Sequence, residues 1–204
     1  MEAPYTLPDE IAHWTTIVGS GAVPDQRAST HHRSEEAGHD DWVTDPAASA
    51  YTLDEPGSWR LPDGDAVDVT GTLIGGCAEV LGPLAGTPYG DVWRFAEQHA
   101  PDGLIVYVEA AEDQALNIAR HLWSMRLAGW FERANAVLIG RTHAPASGDF
   151  SQDDAVRSAL GDLDIPVVLD VDCGHVVPGL ALVNGARAHI TIDAAGQRIT
   201  QAIS

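Results

Sequence analysis

GLIVYVEAAED, residues 103–113, is apolar at every position from Leu104 to Val108 and stops at Glu109. Two further runs have the same character: AVLIGRTH (136–143) and IPVVLDVDCGHVVPG (165–179). Strands that are apolar throughout, rather than at alternate positions, are covered on both faces, as in parallel sheets packed against helices. Helical patterns separate the runs, so residues 103–171 read as a parallel α/β unit. In such sheets ligands bind beyond the carboxyl ends of the strands. Glu109, Arg141 and His175 each sit at or just past such an end, and this polar cluster is the first functional candidate.

Outward from this unit, the helix after Glu109 is expected over Glu112–Trp130, with an apolar stripe of Leu116, Ala119, Trp123 and Leu127 and a stop at Gly129. A second helix is expected from Ser151, with Asp154 as partner in a capping box, to Gly161. Asn184-Gly185 lies between alternating runs and predicts a hairpin, with AGQRITQAI (195–203) as a last strand. Before the unit, residues 50–62 and 66–74 carry strand-like content broken by turns, which implies a second, antiparallel sheet layer. Gly75-Gly76-Cys77 then leads into a short helix, where backbone N–H groups can face an anion; a tight strand-to-helix turn explains the glycines equally well. Residues 5–18 read as a short helix with Ile11, Trp14 and Val18 facing inward. Residues 24–50 read as a long polar loop. Its His31, His32, His39, Asp40 and Asp41 lack any metal-ligand spacing, so a solvated loop is preferred to a metal site, and neither a metal nor another cofactor is expected.

Composition narrows the partners. The chain of 204 residues has a formal net charge of −19, and its 11 basic residues are all Arg. A surface so acidic repels phosphate backbones, which argues against nucleic acid. Adaptation to high salt and a GC-rich genome both account for the acidic, Lys-free composition, and they stand side by side. No apolar run is long enough to span a membrane, and no secretory signal follows Met1. Cys77 and Cys173 form no CxxC pair, so the cytoplasm is the expected compartment.

Glu109 and His175 make the sharpest chemical suggestion. A carboxylate that orients an imidazole is two-thirds of a serine hydrolase triad. A buried salt link would use the same two residue types.

The motifs GTLIGGCAEVLGPLAGTPYGD (71–91), LIVYVEAAED (104–113), LWSMRLAGWFERANAVLIGRT (122–142) and CGHVVPGLALVNGARAHI (173–190) follow one another in this order. The order resembles that of the serine peptidases of the LD-carboxypeptidase family, which includes muropeptide LD-carboxypeptidases and microcin C self-immunity peptidases. The resemblance covers about residues 70–193. It implies an α/β fold of the swivelling β/β/α type, with a parallel sheet, a second antiparallel sheet layer and flanking helices. It implies a connector over 1–65 and a carboxyl-terminal catalytic domain over 66–204. It makes Glu109 the triad acid and His175 the general base. Gly75, Gly76, Cys77 and Arg141 become candidate substrate-binding positions, although Cys77 stands where many members have Asn.

The family's nucleophilic Ser belongs to an amino-terminal domain on a sharp turn after a strand. Val18-Gly19-Ser20-Gly21 is not such a turn, and Ser124, Ser147, Ser151 and Ser158 fall on helices, in a loop or at a cap. The expected activity is therefore hydrolysis of an amide near a free carboxyl end, in a muropeptide or peptidyl-nucleotide, with the Ser supplied by a nucleophile domain or an equivalent chain. A non-catalytic binding or assembly module with the same fold is the alternative. Apolar surface left bare by the absent domain leads to the expectation of a homodimer.

Overall fold

The computed structural model describes residues 9, 11–12, 25–37 and 52–202. Its core is one mixed seven-stranded sheet. The strands are β1 (Gln26–Arg27), β4 (Val67–Cys77), β5 (Leu104–Glu109), β6 (Ala134–Gly140), β7 (Val167–Val171), β8 (Arg187–Asp193) and β9 (Gly196–Ala202), in the spatial order β1-β9-β8-β4-β5-β6-β7. From β4 to β7 the strands are parallel, and from β4 through β8 and β9 to β1 they are antiparallel. A small antiparallel sheet pairs β2 (His31–His32) with β3 (Glu55–Pro56). The α/β class with a parallel sheet portion, a second small antiparallel sheet and flanking helices agrees with the sequence.

Four helices are described: α1 (Ala78–Leu84), α2 (Val92–His99), α3 (Ala115–Leu127) and α4 (Gln152–Leu160). They share one core cluster with Leu104, Val106, Val108, Val137 and Leu169, so they lie on one face of the sheet. The opposite face, with Leu73, Ile105, Leu138 and Val168, is covered by Ile11, Trp59 and Leu180 from irregular segments. Coverage of both faces is why residues 104–108, 136–139 and 167–169 carry apolar side chains at successive positions. None of the described helices is long and apolar enough to cross a membrane.

Several elements differ from the sequence reading. Val67–Cys77 is not in the small antiparallel sheet; it is the central strand, and it joins the two halves of the main sheet. Asn184-Gly185 is a turn, but the hairpin connects β8 to β9 at Asp193–Gly196, where Asp193 Oδ1 accepts from the N–H groups of Ala195 and Gly196. Residues 180–183 form no strand because side-chain amides replace the ladder: Gln26 and Gln201 bond the main chain of Ala181 and Val183. Within α3 the buried stripe is Ala115, Ile118, Ala119, Leu122 and Met125, so of the expected stripe only Ala119 is buried, and Leu127 is 83% exposed. Trp123 lies beside the buried face, its Nε1–H donating to Ser158 Oγ on α4 (3.3 Å) with the Arg126 guanidinium over its ring.

The capping box of Ser151 and Asp154 is formed, and Gly129, at φ +82°, ends the turn after α3. Part of the expected polar loop is ordered by remote partners: Gln26 and Arg27 pair with β9, and His32 is buried. Such long-range pairing leaves no local periodicity. Trp14 and Val18, Ser20, and His39 to Asp41 lie outside the described residues.

Candidate active site

Glu109 is the last residue of β5, and its side chain continues the row of Ile105 and Tyr107, on the face away from the helices. Its cross-strand partner on β4 is Cys77. The chain leaving β7 turns at Gly174, at φ +105°, and presents His175. His175 Nδ1 lies 2.8 Å from Glu109 Oε2. The carboxylate side chain is 8% exposed and the imidazole 61% exposed. The pair therefore joins a nearly dry acid to a solvent-facing base. Nδ1 is engaged, which leaves Nε2 as the nitrogen that can take a proton from an incoming group. Within the described residues, no serine hydroxyl is hydrogen-bonded to His175. Those of Ser29, Ser124 and Ser151 donate to the His31 and Gly82 carbonyls and to Asp154.

Arg141 follows β6 directly, but it faces inward and is 6% exposed. Its Nη1 donates to Asp172 Oδ1 (2.6 Å) and its Nη2 to the Asp170 carbonyl (3.0 Å). Asp172, fully buried, accepts on Oδ2 from Trp59 Nε1–H (2.9 Å) and the Ser29 N–H (2.9 Å). This network ties the amino-terminal segment to the turn that carries His175, and it engages the Arg141 guanidinium. Sequence inspection missed Asp172 and Trp59 because their pairing spans more than a hundred residues. His32, close to Arg141, is likewise buried, and burial together with that guanidinium pushes its pKa down.

Gly75 cannot carry a side chain, since a Cβ there would stand 1.8 Å from the Tyr107 carbonyl oxygen. Its N–H donates to Asn184 Oδ1 (2.9 Å) and its carbonyl accepts from Asn184 Nδ2 (3.1 Å). The Asn184 amide thus extends the sheet ahead of the start of β8, and the Gly75 N–H is committed to it rather than turned to a ligand. Gly76 follows on the same strand, before Cys77. The Cys77 thiol donates to Glu79 Oε2 (2.9 Å). Burial, this bond to Glu79 and the Glu109 charge push the Cys77 thiol up to about 12. It is a neutral thiol at physiological pH and no nucleophile. Within the described residues no group of three or more His, Cys, Asp or Glu side chains is arranged to hold a metal ion.

The chain is similar in sequence and in fold to known proteins. The family model "LD-carboxypeptidase C-terminal domain" matches residues 70–190. A carboxypeptidase homologue of Streptomyces coelicolor is 28% identical over 123 residues, covering 60% of this chain and 37% of that protein. The MccF-like protein of Streptococcus pneumoniae, solved in complex with AMP, superposes with a TM-score of 0.66 at 21% identity, over 93% of this chain and 56% of that one. The muramoyltetrapeptide carboxypeptidase of Oxalobacter formigenes superposes with a TM-score of 0.55 at 25% identity, over 72% of this chain and 49% of that one. The chain thus spans between 37% and 56% of the length of these relatives.

Proposed function

Starting from the chain's membership in the LD-carboxypeptidase family through its C-terminal domain, we propose that it supplies the acid and the base of a Ser-His-Glu triad. In this reading the Glu109 carboxylate accepts the Nδ1–H of His175 and fixes the tautomer. Nε2 then takes the proton of a serine hydroxyl that approaches from outside the described residues. The serine oxygen bonds to the amide carbonyl carbon, the C–N bond breaks as His175 returns the proton to the leaving amine, and water later releases the acyl group. Backbone N–H donors for the oxyanion belong with the serine, because the Gly75 N–H is occupied. The observation that carries the reading is the 2.8 Å contact between a buried carboxylate and an exposed imidazole at the carboxyl ends of parallel strands.

The substrate class follows from the relatives. One is a muramoyltetrapeptide carboxypeptidase and another was solved with AMP bound. An amide near a free carboxyl end, in a muropeptide or a peptidyl-nucleotide, is the corresponding substrate, with a role in peptidoglycan recycling or microcin C resistance in the cytoplasm. The chain's partners in this reading are a nucleophile domain and a second copy of itself. The test is hydrolysis of a muramoyl tetrapeptide by protein that carries the serine: it should be lost in His175→Ala, and undiminished turnover would refute the reading.

A second reading has its own support, since no described serine reaches His175. The isolated chain would then be a binding or assembly module. A fluorophosphonate probe separates the two. Labelling of this chain alone contradicts the module, whereas labelling only when the nucleophile domain is present fits the triad.

A further inference from the structure

Glu79 lies in the first turn of α1, two residues past Cys77. One of its oxygens, Oε1, accepts from three successive backbone N–H groups: Ala111 (2.9 Å), Glu112 (3.0 Å) and Asp113 (3.1 Å). The other, Oε2, accepts the Cys77 thiol. Successive main-chain N–H groups that converge on one point form an anion-binding concavity, commonly filled by a ligand. Here the protein fills it with its own carboxylate. Burial opposes the charge, but the donors from Cys77, Glu112 and Asp113 hold the carboxyl at about 2.

The three N–H groups belong to the chain that leaves Glu109. Without an acceptor they would point at one another, and the segment would reopen to reach water. The segment is held elsewhere by its carbonyls, where Ala110 accepts from Thr142 Oγ1 (2.8 Å) and Asp113 from Gln152 Nε2 (3.2 Å), and at its far end by the Asp113 carboxylate, which meets Asn117 Nδ2 and His121 Nε2 (both 3.1 Å); among these bonds none takes up the three N–H groups. Glu79 also draws the thiol hydrogen of Cys77 to itself. Cys77 stands directly across from Glu109 in the strand register, so its thiol does not compete for the carboxylate oxygen that His175 uses.

We propose that Glu79 is a positioning residue, which fixes the backbone exit of β5 so that the Glu109 carboxylate meets His175 Nδ1. This rests on reading Glu109 and His175 as the acid and base of the site, and it adds a residue whose bonds go to Cys77 and the 111–113 main chain rather than to His175.

The imidazole nitrogen chemical shifts of His175 in this chain, read at pH 8.5, test it. A free neutral imidazole favours the Nε2–H tautomer, whereas the bond to Glu109 selects Nδ1–H. In Glu79→Ala the ratio of Nδ1–H to Nε2–H should fall roughly fivefold, the equilibrium worth of one ordinary hydrogen bond. Glu79→Gln, which keeps an oxygen for the three N–H groups, should stay within about twofold of the parent by the same measure. Glu79→Asp retains the charge but falls short of the concavity, so it should behave like Ala, and it serves where the Ala variant does not fold. A merely structural role would lower thermal stability in the Ala and Asp variants while leaving the tautomer unchanged, and that result overturns the proposal. A parent protein already in the Nε2–H form would overturn the Glu109–His175 pairing itself.

Discussion

Gly174 lies against the carboxylate of Glu109: a Cβ at that position would stand 2.6 Å from Oε2, the oxygen that also meets His175 Nδ1. The residue before His175 therefore has to be bare. At φ +105° it occupies backbone space that a side chain would strain. Gly174→Ala should cost about 1–3 kcal/mol of stability from strain alone. In protein carrying the serine, turnover should fall by roughly 10²- to 10⁴-fold, approaching the loss seen when an orienting acid is removed. Denaturant unfolding and steady-state hydrolysis check the two effects separately.

The Arg141–Asp172 pair makes a second prediction. Both side chains are buried, and Asp172 also holds Trp59 and the Ser29 N–H. Asp172→Ala leaves the guanidinium without its counter-charge and should destabilise the fold by about 3–5 kcal/mol. The double variant Arg141→Met/Asp172→Leu should lose clearly less than the sum of the single changes, because it removes both charges together. Additive losses in a thermal-melt cycle would contradict this account of the pair.

Cys77 should be slow to alkylate. With its thiol pushed up to about 12 by burial, Glu79 and Glu109, the thiolate fraction at pH 8 is small. Its reaction with iodoacetamide at pH 8 should run roughly a hundredfold slower than that of a free cysteine. Cys173, buried and likewise raised, should not react in the folded protein. Labelling of Cys77 at the free-thiol rate would show that its bond to Glu79 is not made.

Acid should act through Glu79. A carboxyl held at about 2 in the fold, below its ordinary value of 4.5, contributes stability that is present above pH 4.5. This contribution is lost as the pH falls from 4.5 toward 2. The group is only partly buried, so solvent screening reduces its worth to about 1–2 kcal/mol. Glu79→Gln has no proton to take up, and its unfolding free energy should fall less steeply over that range than the parent's. Parallel curves would contradict the assignment.

The parallel half of the sheet was legible because continuous runs such as Leu104 to Val108 have only one comfortable home, covered on both faces. The meeting of Glu109 and His175 was legible because each ends or follows such a run. What the sequence hid was long-range polar pairing. Gln26 and Gln201 stand in for strand neighbours of residues 180–183, and Asn184 does so for Gly75. A hairpin signal at Asn184-Gly185 therefore marked a turn without a hairpin. The stripe on α3 was misread because Leu116, Trp123 and Leu127 recur at helical spacing as regularly as the residues that are buried. Periodicity alone does not say which of two adjacent apolar faces meets the sheet. Glu79 left no local signal, since its three donors lie more than thirty residues away.

The central claim is that Glu109 and His175 serve a serine brought from outside the described residues. Its most direct test is formation of a covalent acyl-enzyme on that serine, followed by mass spectrometry in the serine-bearing protein with a muramoyl tetrapeptide. The account predicts an adduct in the parent protein and none in His175→Ala, with Glu109→Gln slowed by roughly 10⁴-fold. Adduct formation in His175→Ala at the parent rate would contradict it.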